Sequence, residues 1–427
     1  MRSSSKLRTL ATTLTAAVIL VLLTVPAAAA DWPKWRGPDQ NGISSETGWL
    51  EMWPEGGPEV LWKASIGTGF SSMSISAGRL YAMGNSASST DEENQMDRVL
   101  CFGAKTGKEI WRHEYPCKLM PLFYKGGPGA TPTVDGDRVY TFSKEGQVFC
   151  LDAKTGKVVW SRRLQDEEGI EAPKWGFAGS VLVDSNRLII NACVGGVALE
   201  KSTGEVLWKC EEGVGGYSTP LPFEAGGNQA VAMFSFNALV AVDPATGGKL
   251  WQQPWKTAYY VNASQPIFVE DSVFISTGYG AGCALWKVEK DGLNQIWRNR
   301  NMSNQCNSSV FFDGHIYGFS GNVGGKGILR CLDLKTGDVK WSKKKLGTGS
   351  LMIADKKLII LSEDGILVIA RATPEEYDEL QRARILKGVC WTVPVLSNGL
   401  IYARCAEGDL VCVNPKTKKA AAPKRGR

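Results

Sequence analysis

A Thr-Gly pair followed four residues after the Gly by Trp recurs five times: Thr106-Gly107…Trp111, Thr155-Gly156…Trp160, Thr203-Gly204…Trp208, Thr246-Gly247…Trp251 and Thr336-Gly337…Trp341. A degenerate copy, Asp291-Gly292…Trp297, fills the one gap, so that successive tryptophans from Trp62 stand 49, 49, 48, 43, 46 and 44 residues apart. Periods of roughly 40 to 50 residues belong to propellers, helical arrays and solenoids.

The content of each unit chooses among them. Runs such as Arg138-Val139-Tyr140-Thr141-Phe142 and Gln147-Val148-Phe149-Cys150-Leu151 alternate or are apolar, with Gly or Asp-Gly between them. These are hairpin signals. The Thr-Gly reads as a tight turn, with Gly supplying positive φ and Asp152, Asp243 or Asp333 bonding free amides. Four short strands per unit make one blade of an all-β propeller.

Eight blades are predicted. Six end at Trp111, Trp160, Trp208, Trp251, Trp297 and Trp341. A seventh runs from Leu346 to Leu386 without the Thr-Gly-Trp phrase, and an eighth starts at Trp391 and stops after Leu410-Val411-Cys412 with no outer strand. Val60-Leu61-Trp62-Lys63 is a spare outer strand at the other end, predicted to complete the last blade and close the ring so that no edge is left exposed.

The phrase Cys150-Leu151-Asp152-Ala153-Lys154-Thr155-Gly156-Lys157-Val158-Val159-Trp160 resembles the tryptophan-docking motif of the PQQ-like (quinoprotein-type) β-propeller repeat family. That family is related in fold to BamB-type scaffolds and quinoprotein alcohol dehydrogenases. The resemblance implies that the indoles of Trp111, Trp160, Trp208, Trp251 and Trp341 each stack between a small first residue and the peptide of a Gly in a neighbouring motif.

Residues 1–30 read as a secretory leader: Arg2, Lys6 and Arg8 precede an apolar core over 10–25, and Ala28-Ala29-Ala30 offers a cleavage site. The apolar run is short for a membrane span, and no Cys at the cleavage site would carry a lipid. The expected boundaries are a Trp-rich extension over 31–58, the propeller over 59–415, and a basic disordered tail over 416–427. The formal charge of +6 falls to +3 without the leader and, without the six cations of the tail, to −3 for the ring. Localisation is expected to be periplasmic or extracellular, with a monomer and no nucleic-acid partner.

Eleven cysteines would ordinarily suggest disulfides in an exported chain. Cys101, Cys150, Cys331 and Cys412 instead occupy the first position of the docking phrase, as small apolar residues under an indole. The rest are expected to be mostly reduced and buried, with one or two bridges left open. The two histidines, His113 in a loop between blades and His315 at a turn, read as surface or turn residues, and no zinc, haem or phosphate-loop signature is present. Asp91-Glu92-Glu93…Asp97 lacks calcium-loop spacing and reads as a solvated hairpin extension. Trp32, Trp35, Trp49 and Trp53 are expected across the outer surface of the ring.

Inner strands should begin at one mouth of the central channel, and there the sequence repeatedly presents small hydroxyl or amide groups. The candidate ligand-binding residues at that mouth are Lys174, Trp175, Tyr217, Ser218, Asn262, Gln265, Asn307, Trp391 and Arg404, with Tyr279, Asn301 and Asn304 nearby. Crowding near a propeller axis also selects Gly, Ala, Ser and Thr for packing alone. Trp175 and Trp391 lie outside the docking phrase, so blade packing does not account for them. The expected function is a non-catalytic platform for an unidentified protein, glycan or small ligand, with no cofactor and no metal. The alternative implied by the resemblance is an alcohol or sugar dehydrogenase using PQQ with Ca2+, which in that family needs a Trp floor, a disulfide of adjacent cysteines and a Glu/Asn/Asp calcium set. No adjacent cysteine pair occurs here.

Overall fold

A computed structural model describes residues 30–87, 94–122, 124–211 and 213–416. Residues 1–29 of the leader, the Asp91-Glu92-Glu93 stretch and the tail beyond Lys416 lie outside the described residues. Among the described residues, the strands form eight sheets of four antiparallel strands, one of them with an added fifth strand. Blade 1 comprises Ser74–Ser76, Arg79–Asn85, Met96–Gly103 and Glu109–Pro116. The next six follow over 133–163, 182–211, 221–254, 267–299, 310–343 and 350–384, and blade 8 takes three strands from 395–414. No helix of the described residues is long and apolar enough to cross a membrane.

Turn chemistry makes the blades repeat. The first hairpin of blades 1, 6, 7 and 8 turns through left-handed pairs, Ala77-Gly78, Asp313-Gly314, Asp355-Lys356 and Asn398-Gly399, whose backbone twist matches that of the flanking strands. At the outer turn, Asp152 Oδ1 accepts from the amides of Lys154 and Thr155 and from the Thr155 hydroxyl.

The docking phrase joins neighbouring blades. Gly204 has φ +78°, and a Cβ there would stand 2.6 Å from the ring of Trp160 in the preceding blade; at Gly247 it would stand 2.7 Å from Trp208. Glycine is therefore required twice over, by the turn and by the indole. The ring N–H donates forward too: Trp111 to the Ala153 carbonyl at 3.1 Å, Trp160 to Lys201 at 3.1 Å, Trp208 to Pro244 at 3.0 Å and Trp341 to Thr373 at 2.8 Å. Trp251 faces blade 5, which lacks the Thr-Gly turn, and its buried N–H has no partner. Opposite the indoles stand Cys101, Cys150, Cys331 and Cys412, paired in register with Trp111, Trp160, Trp341 and Trp62.

Closure follows the sequence expectation. Glu59–Ser65 pairs antiparallel with Asp409–Asn414, and Trp62 docks on blade 1 by donating to the Ala104 carbonyl at 2.9 Å. Arg404 pins the same seam. It is fully buried and donates to the carbonyls of Gly67, Ser71, Met83 and Cys405.

Three expectations need correction. His113 is not in a loop but within the outer strand Glu109–Pro116, its ring 4.9 Å from that of Phe149. Asp97 is not solvated. It is buried and accepts from Asn85 Nδ2 at 2.7 Å, and burial raises its pKa. Of the extension's tryptophans, Trp53 does pack across the outer strand of blade 7, where its amide donates to Gln381 Oε1, but Trp32 and Trp49 are 2 % and 1 % exposed and Trp35 is half-buried.

The physical reason, for Trp32 and Trp35, is that the first part of the extension enters the ring. Trp32 bridges to Ile75 in the inner strand of blade 1, and the Pro33 carbonyl accepts from Val134 of blade 2. Gln40 Nε2 donates to the Pro220 carbonyl at the start of blade 4, and Gln265 of blade 5 donates to the Gln40 carbonyl. Arg36 donates to the Ser309 carbonyl of blade 6 at 2.7 Å. Ile43–Ser44 adds a parallel strand to Ser350–Ala354 of blade 7, and Glu46 accepts from Gly399 of blade 8. Inner strands face the axis, so a segment this short that touches them in seven blades must cross the channel. Residues 31–46 are a plug.

Candidate functional site

Toward the end where the inner strands begin, the plug forms a floor. This floor contains Arg36, 3 % exposed with its pKa pushed down to about 10 by burial, together with Gln40 and Gln265. Arg36 Nε and the side-chain carbonyls of both glutamines are buried without a protein partner, which makes them places for ordered water or a ligand group.

Above this floor the loops form a nearly continuous rim. Trp391 of blade 8 stacks on Phe70, with centroids 5.2 Å apart and planes at 18°, and Phe70 lies 5.5 Å from Tyr124. Tyr124 donates its hydroxyl to the Trp175 carbonyl, and Trp175 meets Tyr217 at 6.1 Å. The Tyr217 amide donates to the Asn262 carbonyl, at the segment carrying Tyr259 and Tyr260. Tyr259 meets Tyr279 at 5.2 Å, and the Tyr279 hydroxyl accepts from Gln305 Nε2 at 2.7 Å. Gln305 Oε1 accepts from the Val323 amide, and the next amide, Gly324, donates to Glu363. Glu363 Oε1 also accepts the indole N–H of Trp391 at 2.9 Å, which returns the chain of contacts to its start.

Two features set this rim apart from packing. Tyr259, Tyr260 and Tyr279 have φ of 59°, 58° and 55°, a region costly for bulky side chains, and Tyr259 is 62 % exposed. Strain of this kind costs on the order of 1–3 kcal/mol per residue and clusters at functional sites. The second feature is Cys306, the exposed member among the cysteines, which lies within electrostatic reach of Tyr124, Tyr217 and Tyr279. Its surface reaches solvent, yet the surrounding walls desolvate the thiol and push it up to about 11.

The sequence candidates divide by position. Trp175, Tyr217 and Trp391 stand in the rim, and Lys174 Nζ lies 5.2 Å from the Trp175 ring. Gln265 holds the plug. Ser218, Asn262 and Asn307 are buried, and their side chains hold neighbouring backbone: Ser218 Oγ accepts from the Phe234 amide, Asn262 Nδ2 donates to the Ser235 carbonyl and Asn307 Nδ2 to that of Gly349. Arg404 belongs to the seam. Phe70, Tyr124, Cys306, Glu363 and the plug residues Arg36 and Gln40 were not singled out by sequence reasoning. For Cys306 a signal existed, since it falls where an inner strand begins.

Charge in the rim comprises one ion pair, the Lys174 ammonium over the Trp175 ring, and the Glu363 carboxylate. Lys125 meets Glu407 at 3.1 Å, and Glu363 accepts from two amides on Gly324 and Thr348 besides the indole. No group of three or more His, Cys, Asp or Glu side chains suited to a metal occurs among the described residues.

The family profile described as outer membrane protein assembly factor BamB matches residues 95–343. No curated protein matches the chain. Among solved structures, BamB from Moraxella catarrhalis aligns with a TM-score of 0.59 at 15% identity, covering 84% of this chain and 100% of that one. The quinohemoprotein alcohol dehydrogenase from Comamonas testosteroni gives 0.66 at 14% identity over 93% of this chain and 82% of its own. The computationally designed Ika8 protein gives 0.57 at 13% identity over 84% and 100%. At these identities the likeness carries the fold alone.

Proposed function

The chain belongs to the family of the outer membrane protein assembly factor BamB, and on that premise we propose that it is an exported, non-catalytic platform that binds an uncharged ligand at the channel mouth. The observation that carries this reading is the asymmetry of the channel: one end is filled by residues 31–46, and the other keeps a rim of aromatic faces and amide groups. Flat faces edged with hydrogen-bonding groups suit sugar rings or uncharged segments of a partner. Export is supported by the leader-like residues 1–30.

Titrating the mature protein with neutral oligosaccharides and uncharged peptides, followed by tryptophan emission, tests the reading. Saturable binding by wild type that is lost in both Trp175→Ala and Trp391→Ala supports it. Stoichiometric binding of PQQ with calcium, together with dye reduction by alcohols or sugars, would replace it with the dehydrogenase reading.

A further inference from the structure

Ten of the eleven cysteines are buried or half-buried, and the backbone sets one pair on adjoining segments. Cys390 lies in the segment leading into blade 8, and Cys405 directly follows that blade's strand Leu400–Arg404. Between their segments, the Ala406 amide donates to the Val389 carbonyl at 2.7 Å. The Cys390 amide turns the other way, to the Glu363 carbonyl at 2.8 Å, and the Cys405 amide turns to Asp409 at 3.0 Å.

The Ala406–Val389 bond is one of the two that would flank a non-hydrogen-bonded antiparallel pair, and it sets Cys390 and Cys405 on adjoining backbone, each one residue from it. In such a pair the Cα atoms are about 4.5 Å apart. Disulfides span Cα separations of about 4.4–6.8 Å. Cys390 and Cys405 are each fully buried, and the neighbouring Cys405 sulfur adds to burial in disfavouring ionisation of Cys390. Cys193 and Cys210 of blade 3 also lie within electrostatic reach of each other, but Val194 pairs with Glu211 and Val197 with Lys209, which sets those two out of register.

We infer that Cys390 and Cys405 form a disulfide site, closed by thiol–disulfide exchange while blade 8 is being completed. Two thiols react with one disulfide oxidant such as oxidised glutathione; one S–S bond forms in the protein, and the oxidant leaves as two thiols carrying both hydrogens. The thiolate is the attacking species. Burial holds both thiols protonated in the folded ring, so exchange is fast before the blade packs and slow afterwards. The bond would fasten the segment bearing Trp391 to the strand bearing Arg404, coupling the rim to the seam. The inference rests on backbone geometry and is independent of the ligand.

The test refolds the wild-type mature chain in a mixture of oxidised and reduced glutathione, alkylates the remaining thiols and maps unreduced peptides by mass spectrometry. The expected result is one linkage, between the peptides of Cys390 and Cys405, with the other nine cysteines alkylated. Protein folded under reducing conditions and exposed to the same mixture afterwards should acquire the bond much more slowly. Oxidised protein should melt a few degrees above its reduced form, a difference absent from the Cys390→Ser, Cys405→Ser double variant. Alkylation of all eleven cysteines after oxidative refolding, or a linkage between any other pair, overturns the inference, and neither outcome depends on the variant folding.

Discussion

The two ends of the channel are built from different materials. At the closed end, a segment outside the repeat supplies large buried side chains, Trp32 among them, and hydrogen-bonds to inner strands around the ring. At the open end, loops between strands supply half-buried aromatics and three tyrosines in left-handed backbone. The contrast teaches that the blades specify the ring but not what its channel does. One end lowers the free energy of the fold, and the other holds exposed, strained groups that packing does not require.

Removing residues 31–46 tests the contrast most severely. The truncated protein should lose on the order of 10 °C in melting temperature, because a buried Trp alone contributes about 3–5 kcal/mol. Unchanged melting in a scanning calorimeter would mean that the plug is not part of the packed structure. Gly37→Ala should act in the same direction with less force, about 1–3 kcal/mol by denaturant unfolding, since Gly37 has φ +86° and a Cβ would meet the Trp32 ring at 2.7 Å.

At the mouth the pattern should reverse. Trp391→Ala is expected to cost only about 1–2 kcal/mol of stability, as a half-buried ring, while weakening ligand retention at least tenfold, a roughly 1.4 kcal/mol effect on binding. A large stability loss without any change in binding would erase the distinction between the two ends. The mildest probe is chemical. Cys306 alkylation should be slow near neutral pH and rise about tenfold per pH unit toward its pKa of about 11, because only the thiolate reacts and burial disfavours it. Bound ligand should slow it further, and a rate that levels off just above the ordinary thiol pKa of about 8.5 would remove Cys306 from the walled mouth.

The ring was legible in the sequence because one phrase encodes two physical needs at once, a positive φ at glycine and an indole docked against it. Val60-Leu61-Trp62-Lys63 was legible as the closing strand for the same reason: it carries a docking tryptophan without a blade of its own. The plug was not, since its contacts join residues as far apart as Arg36 and Ser309 and its segment has no period to read. Its tryptophans therefore passed for surface residues. In the mouth, Trp175 and Trp391 stood out because the phrase left them unexplained, whereas Phe70 and Tyr124 sit in loops whose course no local pattern fixes. Arg404 shows the opposite failure: a cation near a strand start suggests a ligand, but it is fully buried against carbonyl oxygens.

The pairing of Glu59–Ser65 with Asp409–Asn414 carries a consequence for the order of events in the chain's life. The strand made among the first waits for a partner made among the last, so every blade is synthesised before the circle can shut. Until then both free edges are templates for pairing with another copy, and such late, long-range closure is slow. Time spent open, more than weakness once closed, sets the hazard for this protein.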